Sequence, residues 1–283
     1  MSTESGLSKS KANLNVVKER VATTFLHPTT QGPFILAGDA AHVHSVNGGQ
    51  GMNTGLSDAF SLIWRLYFSI KCPGLPLKIQ NAIVESYDLE RRATAKVVID
   101  VAAKLVRSTT TEAKYYMDLI EKNSGFITGM GVAYSKMGSP LVKESAHGVF
   151  EAGQRCPDLW LQEPGSGDST RLYQNLRYGR YTLLLAGQAA SVQLGENNPE
   201  FLSILRLAPL QAMGIGLVNG DGHIEKAAQV ANTFECSWVR KQEDYAVLVR
   251  PDCYIEFVAS VNLVVEYFES RLPGLLLVPS NKN

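Results

Sequence analysis

The sequence has little of several features that define common functional classes. Its 283 residues include only four cysteines, which form neither a CxxC pair nor a metal-binding spacing. We therefore expect free thiols in a reducing compartment and no metal site. No apolar run approaches the ~18 residues of a membrane span. Residues 1–13 are polar rather than apolar. We therefore expect no secretion signal, and a cytoplasmic protein.

Positive and negative side chains are present in equal numbers. Lys and Arg together number 27, as do Asp and Glu, so the net charge is zero. Neither a nucleic-acid partner nor a membrane-surface partner is expected from this balance. An apolar content of 45% with 19% charged residues is typical of a globular protein, and the length is enough for two domains.

A GxGxxG motif is also absent from the sequence. Three glycine-containing stretches come nearest to it, but each lacks the spacing or the preceding strand: 129–131, 165–167 and 214–220. In nucleotide-binding βαβ units this motif seats the pyrophosphate on a helix N-terminus. We therefore expect no binding unit for the ADP half of a dinucleotide within these residues.

A strand followed by a glycine-rich loop and a helix is what the sequence does contain. Apolar residues 34–37 predict a short buried strand that ends at Gly38-Asp39. Glycines in the stretch 47–55 leave a loop with little side-chain bulk, and residues 59–67 show helical periodicity. A helix that begins at such a loop offers unpaired N–H groups to an anion or a planar ligand.

The runs Gly38-Asp39-Ala40-Ala41-His42 and Gly48-Gly49-Gln50-Gly51-Met52-Asn53-Thr54-Gly55 closely resemble the second FAD motif of flavoprotein monooxygenases. The best match is the phenol-hydroxylase type of aromatic hydroxylase, in its fungal form. The resemblance extends over nearly all of this chain but over only the C-terminal half of that architecture. It implies FAD by ancestry. Because the GxGxxG unit is missing, we expect a truncated homologue that holds no cofactor tightly.

The resemblance also implies roles for individual residues. Asp39 would bind ribityl or ribose hydroxyls of FAD, and the loop and helix start would cover the pyrimidine edge of the flavin. The predicted cofactor-binding residues are Gly38, Asp39, Gly48, Gly49, Gln50, Gly51, Met52 and Asn53. The predicted substrate-pocket residues are Tyr115, Tyr116 and Met117. Asp39 and His42 are the candidate catalytic residues; for Asp39 this requires a dry pocket, and His42 has the alternative of a structural hydrogen bond.

The predicted fold class is mixed α/β, in three segments. Residues 1–13 form a flexible N-terminus, and residues 14–140 form a mainly helical remnant of the FAD and substrate region. Residues 141–283 resemble the thioredoxin-like C-terminal domain of phenol hydroxylases, with Cys253 where that family has glycine. The charged run Glu90-Arg91-Arg92 is interpreted as a solvated or ion-paired helix face.

Periodicity and turn signals predict the individual elements. Helices are expected at 14–24, from 59, from 77, at 112–121, at 199–207 and at 261–272. Strands are expected at 181–186 and 212–218, with a hairpin over 247–255.

Three function classes follow. The favoured one is a non-redox enzyme of secondary metabolism that uses the vacated pocket for a cyclisation, a pericyclic reaction or an isomerisation of an apolar or aromatic molecule. The second is an FAD-dependent aromatic or polyketide monooxygenase, or the C-terminal half of one, that uses NADPH and O2. The third is a non-catalytic partner of a full-length monooxygenase. We expect a homodimer, or hetero-association with such a relative.

Overall fold

A computed structural model describes residues 19–27, 33–45, 49–72, 74–108, 113–166, 168–197, 199–210 and 232–277. The predicted flexible segment 1–13 and the predicted strand 212–218 lie outside these residues. The helices are α1 (Gln50–Lys71), α2 (Leu77–Ser108), α3 (Ala113–Lys122), α4 (Ser124–Ile127), α5 (Leu172–Asn175) and α6 (Val261–Arg271). Within the described ranges, no helix is both long enough and apolar enough to cross a bilayer.

The strands fall into one large sheet and four short pairs. The short pairs are β1 (Arg20–Val21) with β4 (His42–Val43), β2 (Leu26–His27) with β3 (Phe34–Ile35), β5 (Ala146–His147) with β6 (Phe150–Glu151), and β10 (Gly195–Glu196) with β15 (Leu276–Leu277). The large sheet contains β7 (Trp160–Gln162), β8 (Ser169–Arg171), β9 (Tyr181–Gly187), β11 (Leu202–Pro209), β12 (Thr233–Cys236), β13 (Asp244–Val249) and β14 (Ile255–Ala259).

The seven-stranded sheet has the order β14-β13-β9-β11-β12-β7-β8. Strands β9, β11 and β12 are parallel, whereas β13 is antiparallel to both β9 and β14. The hairpin β13–β14 and the following α6 were predicted and are confirmed. The thioredoxin-like character of residues 141–283 stays a prediction.

Strand β9 lies between β13 and β11 in the large sheet, and all seven of its residues are buried. Successive side chains of a strand point to opposite faces. Leu183 and Leu185 therefore join an apolar core that includes Trp64 and Phe68 of α1, while Leu184 packs into a second core on the other face. The first core thus contains residues from both sides of position 140, the predicted domain boundary.

Three local predictions were wrong. Residues 199–207 form most of β11 rather than a helix, because pairing with β9 decides a short apolar run whose periodicity is ambiguous. Residues 20–21 of the predicted helix 14–24 form β1 instead. The strand at 34–35 is not a buried one, since Phe34 is 70% exposed.

Candidate functional site

The predicted flavin motif folds as two backbone features that face one another. Gly38 begins a 3-10 turn (Gly38–Ala40) with a φ of 59°. Gly49 precedes α1 with a φ of 61°, a left-handed conformation that glycine adopts at no steric cost. The Cα of Gly38 would lie 3.5 Å from a Cβ added to Gly55, so the turn and the helix approach closely.

Asp58 holds these two features together. Its Oδ2 accepts hydrogen bonds from the Gly38 amide at 2.9 Å and lies 2.7 Å from His42 Nε2. Its Oδ1 accepts from Arg91 Nε at 2.6 Å. Burial opposes ionisation of this carboxyl, but the contacts from His42 and Arg91 outweigh it and lower its pKa. We call Asp58, His42, Arg91 and the Gly38 amide the Asp58 cluster.

His42 and Asp39, the two candidate catalytic residues, have opposite environments. His42 is 2% exposed and is bound to Asp58, so its position matches the structural alternative. Asp39 is exposed. The dry environment required for Asp39 to act as an acid or base is therefore not present, whereas an exposed carboxylate remains free to accept hydrogen bonds from a ligand's hydroxyl groups.

The start of α1 carries the other predicted cofactor residues. Gly49, Gln50, Gly51, Met52 and Asn53 form the N-terminal turn, and Gly48 lies outside the described residues. Gln50 is 1% exposed, yet both polar atoms of its amide lack a hydrogen-bond partner among the described residues. Buried amides are normally paired, so this turn has spare hydrogen-bonding capacity. Together with the free N–H groups of a 22-residue helix, it fits the polar edge of a flavin ring.

Tyr115, Tyr116 and Met117, predicted to line a substrate pocket, lie on α3. Tyr115 is 57% and Met117 is 61% exposed, and α3 has no buried residue. None of the three lines the cavity beside Phe60 and Tyr254 or the cavity beside Leu66 and Asn81. Their role in a pocket is therefore not supported by this structure and stays a prediction.

A second buried charge cluster lies next to the first, and only its member on α2 belongs to a charged run noted in the sequence. Arg65 Nη2 lies 2.6 Å from Glu90 Oε2, and Arg250 Nη1 lies 2.7 Å from Glu90 Oε1. Arg250 Nη2 also contacts Asp252 Oδ2 at 2.6 Å. We call these four residues the Glu90 cluster. The predicted helix face at Glu90 and Arg91 is thus ion-paired but not solvated, while Arg92 pairs with Asp88 on the surface.

Ion pairing decides the direction of the pKa shifts in the Glu90 cluster. Burial raises the pKa of Glu90 and Asp252, but the neighbouring guanidinium groups outweigh it and lower both. The pKa of Arg250 is raised, because the attraction of both carboxylates exceeds the effect of burial. Glu90, Asp252 and Arg250 are therefore charged at neutral pH, and the cluster pairs two carboxylates with two guanidinium groups.

A cavity of about 380 Å³ lies between α1, α2 and the C-terminal sheet region. Its lining residues are Leu56, Ser57, Phe60, Ser61, Arg91, Gly129, Val132, Tyr134, Arg155, Asp252 and Tyr254. A volume of this size is at the lower end of the range for small-molecule sites. No residue of the predicted flavin motif lines this cavity.

No cluster of His, Cys, Asp or Glu able to hold a metal ion occurs in the described ranges.

Comparisons with known proteins show what this chain is similar to. Residues 9–102 match the family described as FAD binding domain. The chain resembles FAD-dependent aromatic hydroxylases, as predicted. One relative is the phenol 2-monooxygenase FsqG of Aspergillus fumigatus, 24% identical over 93% of this chain and 51% of its own length. Another is pentachlorophenol 4-monooxygenase of Sphingobium chlorophenolicum, 26% identical over 90% of this chain and 47% of its own.

Solved structures agree on the fold. The anhydrotetracycline hydroxylase OxyS of Streptomyces rimosus matches with a TM-score of 0.57 and 22% identity over 90% of this chain and 47% of its own. The Diels-Alderase PyrE3 matches with a TM-score of 0.53 and 21% identity over 90% of this chain and 44% of its own. The chain thus spans about half the length of the proteins that it matches.

Proposed function

We propose that this chain supplies the flavin-ring side of an FAD-dependent monooxygenase acting on an aromatic or polyketide-like small molecule. The observation that carries the proposal is the Asp58 cluster, which fixes the Gly38 turn against the start of α1. Burying charged groups costs desolvation free energy, even when every group is paired. Such a cluster is therefore expected where a loop has to hold its backbone in one position for a ligand. The similarity to phenol and pentachlorophenol monooxygenases supports the same assignment.

The residues of the chain have distinct tasks in this proposal. Asp39 accepts hydrogen bonds from hydroxyl groups of the cofactor, and the amides that begin α1 stabilise negative charge on the flavin ring. The spare amide of Gln50 adds a hydrogen bond to the ring edge. Bound FAD would supply the electron transfer and oxygen chemistry. The adenine end is not assigned to any residue of this sequence.

Flavin titration tests this division of labour. The full chain is titrated with FAD and separately with FMN, which lacks the adenylate part, and binding is followed by flavin fluorescence. We expect the two affinities to agree within about threefold, because only the shared flavin and ribityl groups are contacted. We expect Asp39→Asn to weaken both at least fivefold, and Asp244→Asn, at an exposed carboxylate of β13, to leave both unchanged. Failure of either flavin to bind, or equal effects of the two substitutions, would contradict the proposal.

A second candidate is a non-redox reaction in which a flexible substrate is held in a reactive conformation. The described cavity and the structural similarity to a Diels-Alderase favour it. Restricting the geometry of the reacting atoms is by itself a large contribution to rate. Conversion of a polyene or polyketide substrate by the flavin-free chain, at the same rate with and without added FAD and NADPH, would support this candidate over the first. Conversion that requires both would exclude it.

Association with a second polypeptide is a related proposal, and the surface of α1 supports it. Met52, Leu56, Ile63 and Ile70 of this helix are each more than half exposed. Large exposed apolar side chains on one element often mark a contact surface. A homodimer, or a complex with a full-length monooxygenase, would be seen as a mass increase by light scattering after size exclusion. We expect Leu56→Asp combined with Ile63→Asp to abolish that increase, whereas a mass equal to one chain in the unsubstituted protein would refute the proposal.

A further inference from the structure

A second cavity, of about 580 Å³, lies where the β2–β3 pair meets α1 and α2. Its volume is within the range of small-molecule sites. It shares no lining residue with the cavity beside Phe60 and Tyr254, with the proposed flavin-binding turn or with either buried charge cluster. The proposed function therefore gives this second cavity no role.

The charged side chains on the wall of the second cavity are both acidic. They are Glu85 and Asp88, on the same side of α2. Arg92 compensates Asp88 through an ion pair at 3.0 Å, and the Phe25 amide donates to the same carboxylate at 2.6 Å. Glu85 takes part in none of the ion pairs formed among the described residues. The wall therefore carries one uncompensated negative charge.

Two uncharged side chains of the same wall have unused hydrogen-bonding capacity. Ser69 Oγ is buried and has no hydrogen-bond partner among the described residues, although buried hydroxyls are normally paired. Gln80 Nε2 donates to the Leu75 carbonyl at 2.8 Å, while Gln80 Oε1 accepts from no described residue. Hydroxyl, amide and carboxylate oxygens all accept hydrogen bonds, so this wall favours a ligand that donates them.

The two acceptors Ser69 and Glu85 lie where α1 and α2 are in contact. Arg65, one turn before Ser69 on α1, donates from its Nε to Ser86 Oγ, next to Glu85 on α2, at 2.9 Å. This contact places the hydroxyl and the carboxylate on neighbouring turns of two packed helices. They can therefore act on one end of a ligand.

Apolar side chains supply most of the remaining wall. Leu26 belongs to β2, Pro33 precedes β3, Leu66 lies on α1 and Val84 lies on α2. Because these side chains come from four places in the chain, a carbon skeleton inside the cavity would contact apolar surface from both helices and from the β2–β3 pair. The cavity thus combines an acidic, acceptor-rich part with an apolar part.

We infer that the second cavity binds a small primary amine with an apolar carbon skeleton, its ammonium group paired with Glu85 and donating to Ser69 Oγ. A primary ammonium is charged at neutral pH and has three N–H donors and no acceptor, which matches the unused acceptors of the wall. An anionic ligand would be repelled by Glu85. The inference does not depend on flavin binding, because the two sites share no residue.

A matched pair of ligands tests this inference on the full chain without flavin. Cyclohexylmethylamine and cyclohexylmethanol have the same ring and nearly the same shape, but only the amine is a cation at neutral pH. We expect the amine to bind at least tenfold more tightly by isothermal titration calorimetry. We expect Glu85→Gln to remove that preference by weakening the amine at least tenfold, with the alcohol unchanged. Ser69→Ala should weaken the amine at least threefold without lowering the thermal unfolding midpoint, because the hydroxyl has no partner among the described residues.

Two further substitutions separate the cavity from the general charge of α2. Asp100 is an exposed carboxylate of the same helix outside the cavity, and we expect Asp100→Asn to leave amine binding unchanged. Asn81 lines the cavity from an exposed position, and we expect Asn81→Trp to fill the cavity and weaken both ligands at least tenfold.

Several outcomes would overturn the inference. They are equal affinity for the two ligands, no binding of either, and undiminished amine binding in Glu85→Gln or in a folded Asn81→Trp protein. If Asn81→Trp fails to fold, as judged by thermal unfolding, the effects of Glu85→Gln and Ser69→Ala on the preference for the amine decide the matter.

Discussion

The Asp58 cluster and the Glu90 cluster both pair a buried carboxylate with a guanidinium group, but they serve different parts of the molecule. The Asp58 cluster includes a histidine and a backbone amide, and it connects α1 and α2 to the Gly38 turn. The Glu90 cluster contains only carboxylates and guanidinium groups, and it connects the same helices to the β13–β14 hairpin. The first therefore shapes a loop, whereas the second joins the helical region to the sheet.

The largest expected effect comes from opening the Glu90 cluster. Arg250→Met leaves the two buried carboxylates of Glu90 and Asp252 with a single guanidinium, that of Arg65, to balance them. We expect the free energy of unfolding to fall by about 3–5 kcal/mol, measured by urea denaturation. The control Arg171→Met breaks an ion pair whose members are 36% and 33% exposed and should cost less than about 1 kcal/mol. Equal losses in the two proteins would show that the buried cluster does not join the two regions.

A smaller and more local effect is expected at the Asp58 cluster. Asp58→Asn keeps the shape of the side chain but removes the charge that faces Arg91. We expect a loss of about 2–3 kcal/mol, the usual cost of hydrogen bonds to charged groups. Hydrogen exchange should become faster at the Gly38 amide, which donates to Asp58, and remain slow in β9 and β13. Uniform acceleration across the sheet would mean that the two clusters are not separable.

Acid should weaken both clusters, because the pKa values of Asp58, Glu90 and Asp252 are all lowered by folding. A carboxyl with a lowered folded-state pKa stabilises the protein above its unfolded pKa of about 4, and that contribution is lost as the pH falls through the folded value. We expect the free energy of unfolding to decline below about pH 4. The decline should be shallower in Asp58→Asn, which lacks one of the titrating groups. Identical pH profiles would contradict the assignment for Asp58.

The smallest effect, a gain in stability, is expected at the hairpin that carries Arg250. Cys253 closes the turn through its N–H bond to the Arg250 carbonyl at 2.9 Å, and its φ is 65°. This left-handed position favours glycine, which is the residue of the resembled family. We expect Cys253→Gly to raise the free energy of unfolding by up to about 1 kcal/mol, measured by thermal unfolding. Asn232→Gly, at a φ of 59°, should gain less, because asparagine tolerates this conformation.

Long periodic elements and turn chemistry were the predictable parts of this fold. The helices from residue 77 and at 261–272, and the hairpin around Pro251-Asp252, follow from local patterns, and the structure confirms them. The strand at 202–209 was not predictable in the same way. Its apolar run is compatible with the periodicity of a helix and with that of a buried strand. Only pairing with β9 decides that it is a strand.

The candidate site likewise has parts that local sequence predicts and parts that depend on contacts distant in sequence. The glycine turn at 38 and the helix start at 49–53 were visible as a motif, because they depend on residues adjacent in sequence. The partners of Glu90 were not, because Arg250 lies 160 positions away. The Pro-Asp turn at 251–252 was recognised as a hairpin signal, but nothing local indicated that Arg250 and Asp252 point into the interior. That Arg155 is partly buried with no carboxylate partner among the described residues is likewise a property that only the folded chain reveals.

Glu90 and Arg91 are consecutive residues of α2, yet their side chains enter different clusters. Each step along an α-helix turns the chain by about 100°. Inserting or deleting one residue in α2 ahead of position 90 would therefore swing both side chains away from their partners at once, whereas a substitution disturbs one. We expect this stretch to accept changes of residue type more readily than changes of length, so natural length variation should accumulate in the connecting loops instead.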